Sequence, residues 1–214
     1  MLAYNLDNCK IKQAVRDAIA SNRNPFISLI LAALKDSGCE VNPETHIVVE
    51  DCNMNMWGGF DPSNNQIVLC KNRFKTIPNE AKRVAKVEQI LAHELIHAFD
   101  HCRAGLDLYE NPRHVMCTEI RAATLSGECM FTENKLSALL SGIKAHHKTC
   151  VKNSALRSFS SLFPHFSQAN RDKIFEEVFS SCYLDTDPFH AIPFNVNSAG
   201  LSFRSYINRH RYNV

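Results

Sequence analysis

No apolar run in this 214-residue sequence is long enough to cross a membrane. The longest, Phe26 to Leu34, is interrupted by Ser28 and is about half of the roughly 18 residues that a spanning helix needs. Charge of one sign is lacking too. Twenty-four Lys plus Arg against 22 Asp plus Glu leave a net charge of +2, without the basic bias of a nucleic-acid-binding domain. Glycine and proline are scarce, at 7 and 8 residues, beside 45% hydrophobic residues; disordered and collagen-like chains are excluded, and a core can form. The amino terminus mixes Lys10, Lys12 and Arg16 with Asp7 and Asp17. It has neither the apolar stretch of a secretory signal nor the acid-free bias of a cleaved matrix presequence, so any targeting is expected to use another route.

Cysteine, by contrast, is abundant. Nine are scattered along the chain and none lies in a CxxC pair. Zinc fingers and ribbons use such pairs, so this scatter points to disulfides between distant segments, with at least one thiol left over. No repeat or linker divides the chain, and residues 1–214 read as a single domain. Two short helices are expected over residues 10–36, separated at Asn24-Pro25, the second placing Ile27, Ile30, Leu31 and Leu34 on one core stripe. His46 to Glu50 and Gln66 to Cys70 read as strands, with turn-rich sequence around Trp57, Gly58, Gly59 and Asp61-Pro62, giving two or three strands of a small sheet. Helices follow: Glu80 to Ala104, stopping at Gly105; Val115 to Met130 after Asn111-Pro112; Asn134 to Val151; and Ala169 to Cys182. The last 30 or so residues, with Pro188, Pro193 and Gly200, read as a loop-rich tail. Strands early and helices late predict an α+β fold, a small amino-terminal sheet packed on a helical half.

The chemistry concentrates at His93-Glu94-Leu95-Ile96-His97. Two imidazoles four residues apart project from one helical face and can grip one zinc ion, leaving Glu94 as general base. In this composition the pattern would arise by chance about 0.03 times per chain, so coincidence is a poor account of it. Val84, Val87, Leu91, Leu95 and Ala98 fall on one side of the helix, and Ile90, His93, His97, Asp100 and Ala104 on the other. A catalytic zinc needs a third protein donor. Asp100 and His101 continue the same helix past His97 and are better placed to support a ligand than to be one. Glu119 follows a chain reversal and begins a helix whose small Ala122 and Ala123 permit close approach. His93, His97 and Glu119 would form a two-His, one-Glu site of gluzincin type; His114 is the alternative donor.

Several motifs carry a resemblance. His93-Glu-Leu-Ile-His-Ala-Phe-Asp100-His-Cys102-Arg103 and Cys117-Thr-Glu119-Ile-Arg121 through Gly127-Glu-Cys129, with Trp57-Gly-Gly-Phe60-Asp61 and Gln66 to Cys70 upstream, resemble the mitochondrial inner-membrane metalloprotease family that assists ATP synthase assembly. His146-His147-Lys-Thr-Cys150, Val178 to Cys182 and Asp187-Pro188-Phe189 extend it over roughly residues 40 to 195. The resemblance implies a zincin-like protease attached peripherally to the inner membrane on its intermembrane-space side. It also implies a peptide substrate, the precursor of the membrane-sector subunit lining the proton path, and a separate chaperone-like role in assembly. Cysteine abundance agrees with that compartment, which has an oxidative import pathway. Some animal relatives are described as binding the Ku DNA-repair subunit, for which the sequence carries no feature.

In such an enzyme zinc acts as Lewis acid, Glu94 shuttles the proton, and Tyr109, His114 or Arg121 is a candidate oxyanion donor. Gln66 to Cys70 is either a plain core strand or an edge that pairs with extended substrate. Phe159, Phe163, Phe166, Phe175 and Phe179 are expected in the core. His146-His147 is expected as an exposed pair, and Arg204, Arg209 and Arg211 as solvated or lipid-facing charges. Cys150 and Cys182, closing the third and fourth helices, are expected to bridge; Cys117 and Cys129 are not, since 12 residues of helix separate them by about 18 Å against a disulfide limit of about 7 Å. Competing functions are a non-proteolytic assembly chaperone with a structural metal, and a DNA-associated metalloprotease, which the small net charge disfavours.

Overall fold

The computed structural model describes residues 2–53, 56–130 and 142–211. Helix α1 (Leu2–Ala20) and α2 (Pro25–Asp36) precede a short α3 (Pro43–His46) and strand β1 (Ile47–Glu50). Asn24 accepts the first amides of α2, with Pro25 in its first turn, so the Asn-Pro pair starts this helix rather than merely dividing two. Strands β2 (Gly58–Asp61) and β3 (Gln66–Cys70) complete a three-stranded sheet in the order β1-β3-β2. β1 runs parallel to β3, Ile47 opposite Ile67, and β2 antiparallel, Gly58 opposite Leu69. β3 is therefore the central strand, which removes it as a substrate-pairing edge. The Trp57-Gly-Gly-Phe60 segment, turn-like in composition, forms an edge of the sheet instead.

After α4 (Lys71–Phe74), the long helix α5 covers Glu80–Ala104. Asn79 caps its first turn and Gly105, at φ 57°, ends it in the left-handed conformation. α6 (Pro112–Leu125) starts at an Asn111 cap and stops earlier than expected. Gly127, at φ 85°, turns the chain there; a Cβ at this position would meet the Phe26 ring at 2.9 Å. α7 (Ile143–Leu162) and α8 (Gln168–Leu184) follow. The expected helix start at Asn134 lies outside the described residues, and α7 runs on well beyond Val151. The tail is not loop-rich. Val196–Ile207 forms helix α9, opened by a reciprocal Asn195–Ser198 capping box after the last proline, with Ala199 buried and Phe203 and Tyr206 packed on the core. Arg209 is not simply solvated, pairing with Asp36.

Two apolar clusters meet along α5 and α6. The first gathers α1, α2, the sheet and one side of α5; the second gathers Val115, Met116, Ile120 and Ala123 of α6 with α7 and α8, including Phe159, Phe163 and Phe175. Residues Ile90 through Asp100 are all buried, so the histidine side of α5 is largely covered as well as the apolar side, while Val84 lies exposed near the start of the helix. Four disulfides tie the layers: Cys39–Cys102, Cys52–Cys70, Cys117–Cys182 and Cys129–Cys150. The expected Cys150–Cys182 bridge is absent. Because α7 begins at Ile143, Cys150 sits near its start, facing the turn after α6 that carries Cys129, and Cys182 at the end of α8 meets Cys117. Cys9 is free and exposed.

Oxidised protein should therefore show one free thiol per chain by mass-spectrometric alkylation. Cys117–Cys182 spans 65 residues, and replacing both cysteines by serine is expected to lower unfolding stability by about 4 kcal/mol through loop entropy, read from urea denaturation. A change below about 1 kcal/mol would show that the bridge does not constrain the unfolded chain.

Candidate metal centre

α5 carries His93, Glu94 and His97 on consecutive turns, and α6 crosses it closely enough to bring in Glu119. Ala122, fully buried in the cluster that contains the apolar side of α5, leaves room for the approach, whereas Ala123 packs with α7 and α8. One donor atom from each of His93, His97 and Glu119 lies within 4.8 Å of the others. Nε2 of His93 is 3.4 Å from Glu119 Oε2, and Nε2 of His97 is 3.7 Å from Oε1. The two imidazole rings stand edge to face at 4.9 Å.

The opposite ring nitrogens are engaged elsewhere. Nδ1 of His93 contacts Glu128 Oε2 at 3.0 Å, and Ser154 on α7 donates to the other oxygen of Glu128. Nδ1 of His97 is 2.9 Å from Thr118 Oγ1, whose own hydrogen goes to Asp100 Oδ2. Thr118 must then accept from His97, so Nδ1 carries the proton and Nε2 keeps its lone pair for the centre. Glu119 Oε2 is buried without a hydrogen-bond partner, an arrangement that costs free energy unless a cation satisfies it. The donor set, its orientation and this orphaned oxygen fit a divalent metal ion.

Electrostatics point the same way. Burial disfavours charge on His93, but its contacts with Glu119 and Glu128 outweigh that and raise its pKa well above the usual value. Burial lowers His97 to about 4 despite the pull of Glu119. Glu128, also buried, is nevertheless held at about 2, chiefly by its hydrogen bond with His93. Burial lifts Glu94 to about 7, opposed by the charge on His93 and reinforced by Glu119 and Glu128. Two carboxylates thus surround the imidazoles and create a field that attracts positive charge.

The centre opens into a cleft of about 820 Å³ walled by β2, α5, the loop before α6, and α7. Gly58 allows β2 to lie directly on α5: a Cβ there would approach Ile90 Cγ2 at 2.8 Å and Glu94 Oε1 at 3.4 Å. Tyr109 lines the cleft, but its hydroxyl donates to Asp61 at 3.0 Å and meets Ser63 at 2.7 Å.

The other candidates are placed elsewhere. His114 is outside the cluster, accepting a bond from the Asp107 amide. His101 donates to Leu106 O at the end of α5. Arg121 is no oxyanion donor: it is buried, donates to Asp100, and holds the Asp185 and Asp187 carbonyls. His147 does not form an exposed pair with His146; at 2% exposure it bonds Tyr183 and packs on Phe194, joining α7 to α8 and the following loop. Thr118, Glu128 and Ser154 escaped the sequence argument. Their only sequence trace is that Thr118 and Glu128 fall within the motifs around Glu119.

A buried His/His/Glu cluster on crossing helices, with a further carboxylate at the floor of a peptide-sized cleft, defines a metallopeptidase-type centre. Residues 9–190 match the Peptidase M76 family, and the chain belongs to this metallopeptidase family. It is 46% identical over 189 residues to the human mitochondrial inner membrane protease ATP23 homolog, covering 88% of this chain and 73% of that protein. The Xenopus laevis homolog is 41% identical over 194 residues, covering 91% and 79%. The Schizosaccharomyces pombe mitochondrial inner membrane protease atp23 is 36% identical over 185 residues, covering 86% and 92%. No solved structure matches the chain.

Proposed function

We propose that residues 1–214 form a single zincin-like domain, a zinc-dependent endopeptidase of the mitochondrial intermembrane space, peripheral to the inner membrane. Its substrate is the precursor of an ATP synthase membrane-sector subunit, whose assembly it also assists. The observation that carries the peptidase reading is the convergence of Glu119 on His93 and His97 beside Glu94, at the floor of the cleft. The relatives' names support the mitochondrial location, and four disulfides support an oxidising compartment. Among the described residues no helix is long and apolar enough to cross a membrane.

His93, His97 and Glu119 would hold the zinc ion, which supplies Lewis-acid polarisation of the scissile carbonyl and of the attacking water. Glu94 accepts the proton of that water and passes it to the leaving amine. Glu128 and the Thr118–Asp100 pair keep both imidazoles oriented. β2, at the edge of the sheet, offers backbone groups to an extended peptide.

Purified protein is expected to bind one zinc per chain. Glu119→Ala should lose stoichiometric metal, measured by elemental analysis after gel filtration, whereas His114→Ala should keep it; the reverse result would reassign the third donor. Terminal-peptide profiling of mitochondria carrying wild type or Glu94→Gln tests the substrate. Absence of the membrane-sector precursor among the accumulated termini would remove it.

A further inference from the structure

The cleft continues past the metal centre toward the start of α5, and its chemistry changes there. Trp57, at the entry to β2, rests edge-on against the buried Phe74 ring at 5.5 Å. Two cations converge on its indole: the Arg73 guanidinium carbon lies 5.2 Å and Lys86 Nζ 5.1 Å from the ring centroid. All three side chains line the cleft, and Arg157 of α7 lines it as well. Among the described residues none of these cations forms an ion pair. Lys86 Nζ donates to Gln89, Arg157 donates to Ser154, and Arg73 Nε is buried without a hydrogen-bond partner. Glu128, the carboxylate whose charge reaches Lys86 and Arg157, is already engaged by His93 and Ser154.

Bringing like charges onto one ring costs repulsion and, for half-buried Lys86, desolvation. The indole face offsets part of that cost. An anion from outside would offset the rest. Lys86 precedes His93 by two helical turns, about 10 Å along α5, which an extended peptide covers in about three residues.

We propose that Trp57, Arg73 and Lys86 form a specificity subsite that takes an acidic side chain of the substrate, about three residues from the scissile bond. This rests on the peptidase reading of the cleft. A peptide occupant is favoured over an anionic lipid because the subsite is continuous with the groove that leads along β2 to Glu94.

Trp57 is the sole tryptophan of the chain, so its fluorescence reports occupancy without requiring turnover. The zinc-loaded full chain carrying Glu94→Gln is titrated with a decapeptide bearing one Glu, and with matched Gln and Lys versions. The Glu peptide should shift Trp57 emission saturably and bind about tenfold tighter than the Gln version, with the difference shrinking at high salt. Lys86→Met, which keeps the aliphatic stem, should remove most of that preference, and Lys86→Glu should favour the Lys peptide. Equal affinities for the three peptides, or no response of Trp57 to any, would overturn the subsite. A response to phosphatidylglycerol vesicles but not to the Glu peptide would also overturn it, in favour of a lipid site. Wild-type protein hydrolysing a casein library separates the two readings: cleavage without acidic preference overturns the subsite alone, while zinc-loaded protein that binds the Glu peptide at Trp57 yet cleaves nothing overturns only the peptidase.

Discussion

Glu94→Gln is expected to lower kcat for peptide cleavage by a factor of about 10² to 10⁴, the usual contribution of a positioned general acid–base, while zinc content and folding stay near wild type. The substitution retains volume and one acceptor oxygen but cannot take a proton from water. Glu94 is buried beside the donor cluster without belonging to it, so its charge can be removed without removing a ligand. Its oxygen lies 3.4 Å from where a Cβ at Gly58 of β2 would be, near the strand with which an extended peptide would pair. Steady-state cleavage and elemental zinc analysis on the same preparation decide the matter. Wild-type turnover in the variant would refute the role of Glu94, and loss of zinc would mean that it helps to hold the ion. If the inactive variant still supports assembly of the ATP synthase membrane sector, the chaperone-like role is separable from proteolysis.

Arg121→Met is expected to destabilise the protein by about 3 to 5 kcal/mol, the cost of removing one partner from a buried ion pair, with Arg103 at 3.3 Å left as the cation beside Asp100. Arg121 and Asp100 are each about 1% exposed, and the guanidinium sits 2.9 Å from the Asp100 carboxylate. Burial pushes the Asp100 carboxyl above the usual range, against the pull of Arg121 and Arg103. The same guanidinium holds the Asp185 and Asp187 carbonyls, so its loss also loosens the chain after α8, whose Asp185 and Asp187 carboxylates stay paired with Arg103. Asp100 further receives the Thr118 hydroxyl that supports His97, and weaker zinc affinity should accompany the loss of stability. The double variant Asp100→Leu, Arg121→Met should recover part of the stability, because no orphaned charge remains, yet none of the zinc affinity. Urea denaturation with a zinc-competition titration reads both; a destabilisation below about 1 kcal/mol in the single variant would show that the pair is not desolvated as the structure has it.

The α+β arrangement, the bounds of α5 and the pairing of His93 with His97 were legible because each is encoded locally. Asn79 and Gly105 cap one helix, and two imidazoles four residues apart share its face whatever packs on it. Glu119 required a chain reversal and a small residue at the helix contact, which Ala122 supplies, while Ala123 turns to α7 and α8 instead. The tail failed as a sequence reading because Pro188, Pro193 and Gly200 were weighed as breakers across the whole stretch. In the structure the prolines precede the Asn195–Ser198 capping box, and Gly200 lies inside a helix that packing against α2 holds in place.

What the sequence by itself determined, then, was the chemistry carried within single elements: a helix bearing two imidazoles and a carboxylate, a second helix bearing another carboxylate, and enough scattered cysteine for several bridges. Beyond the approach of α6 to α5, tertiary structure alone decided which of these elements are neighbours. It put β2 rather than β3 at the edge of the sheet, paired Cys117 with Cys182 and Cys129 with Cys150, and buried His147 against Tyr183. It turned Arg121 away from the cleft toward Asp100, and set Glu128 and Thr118 behind the imidazoles. The physical reason is common to all of these. Caps, turns and helical periodicity act between residues a few positions apart, where the sequence records them. A disulfide, a buried ion pair or a strand register is selected by the free energy of packing whole elements together, and that depends on every surface they share.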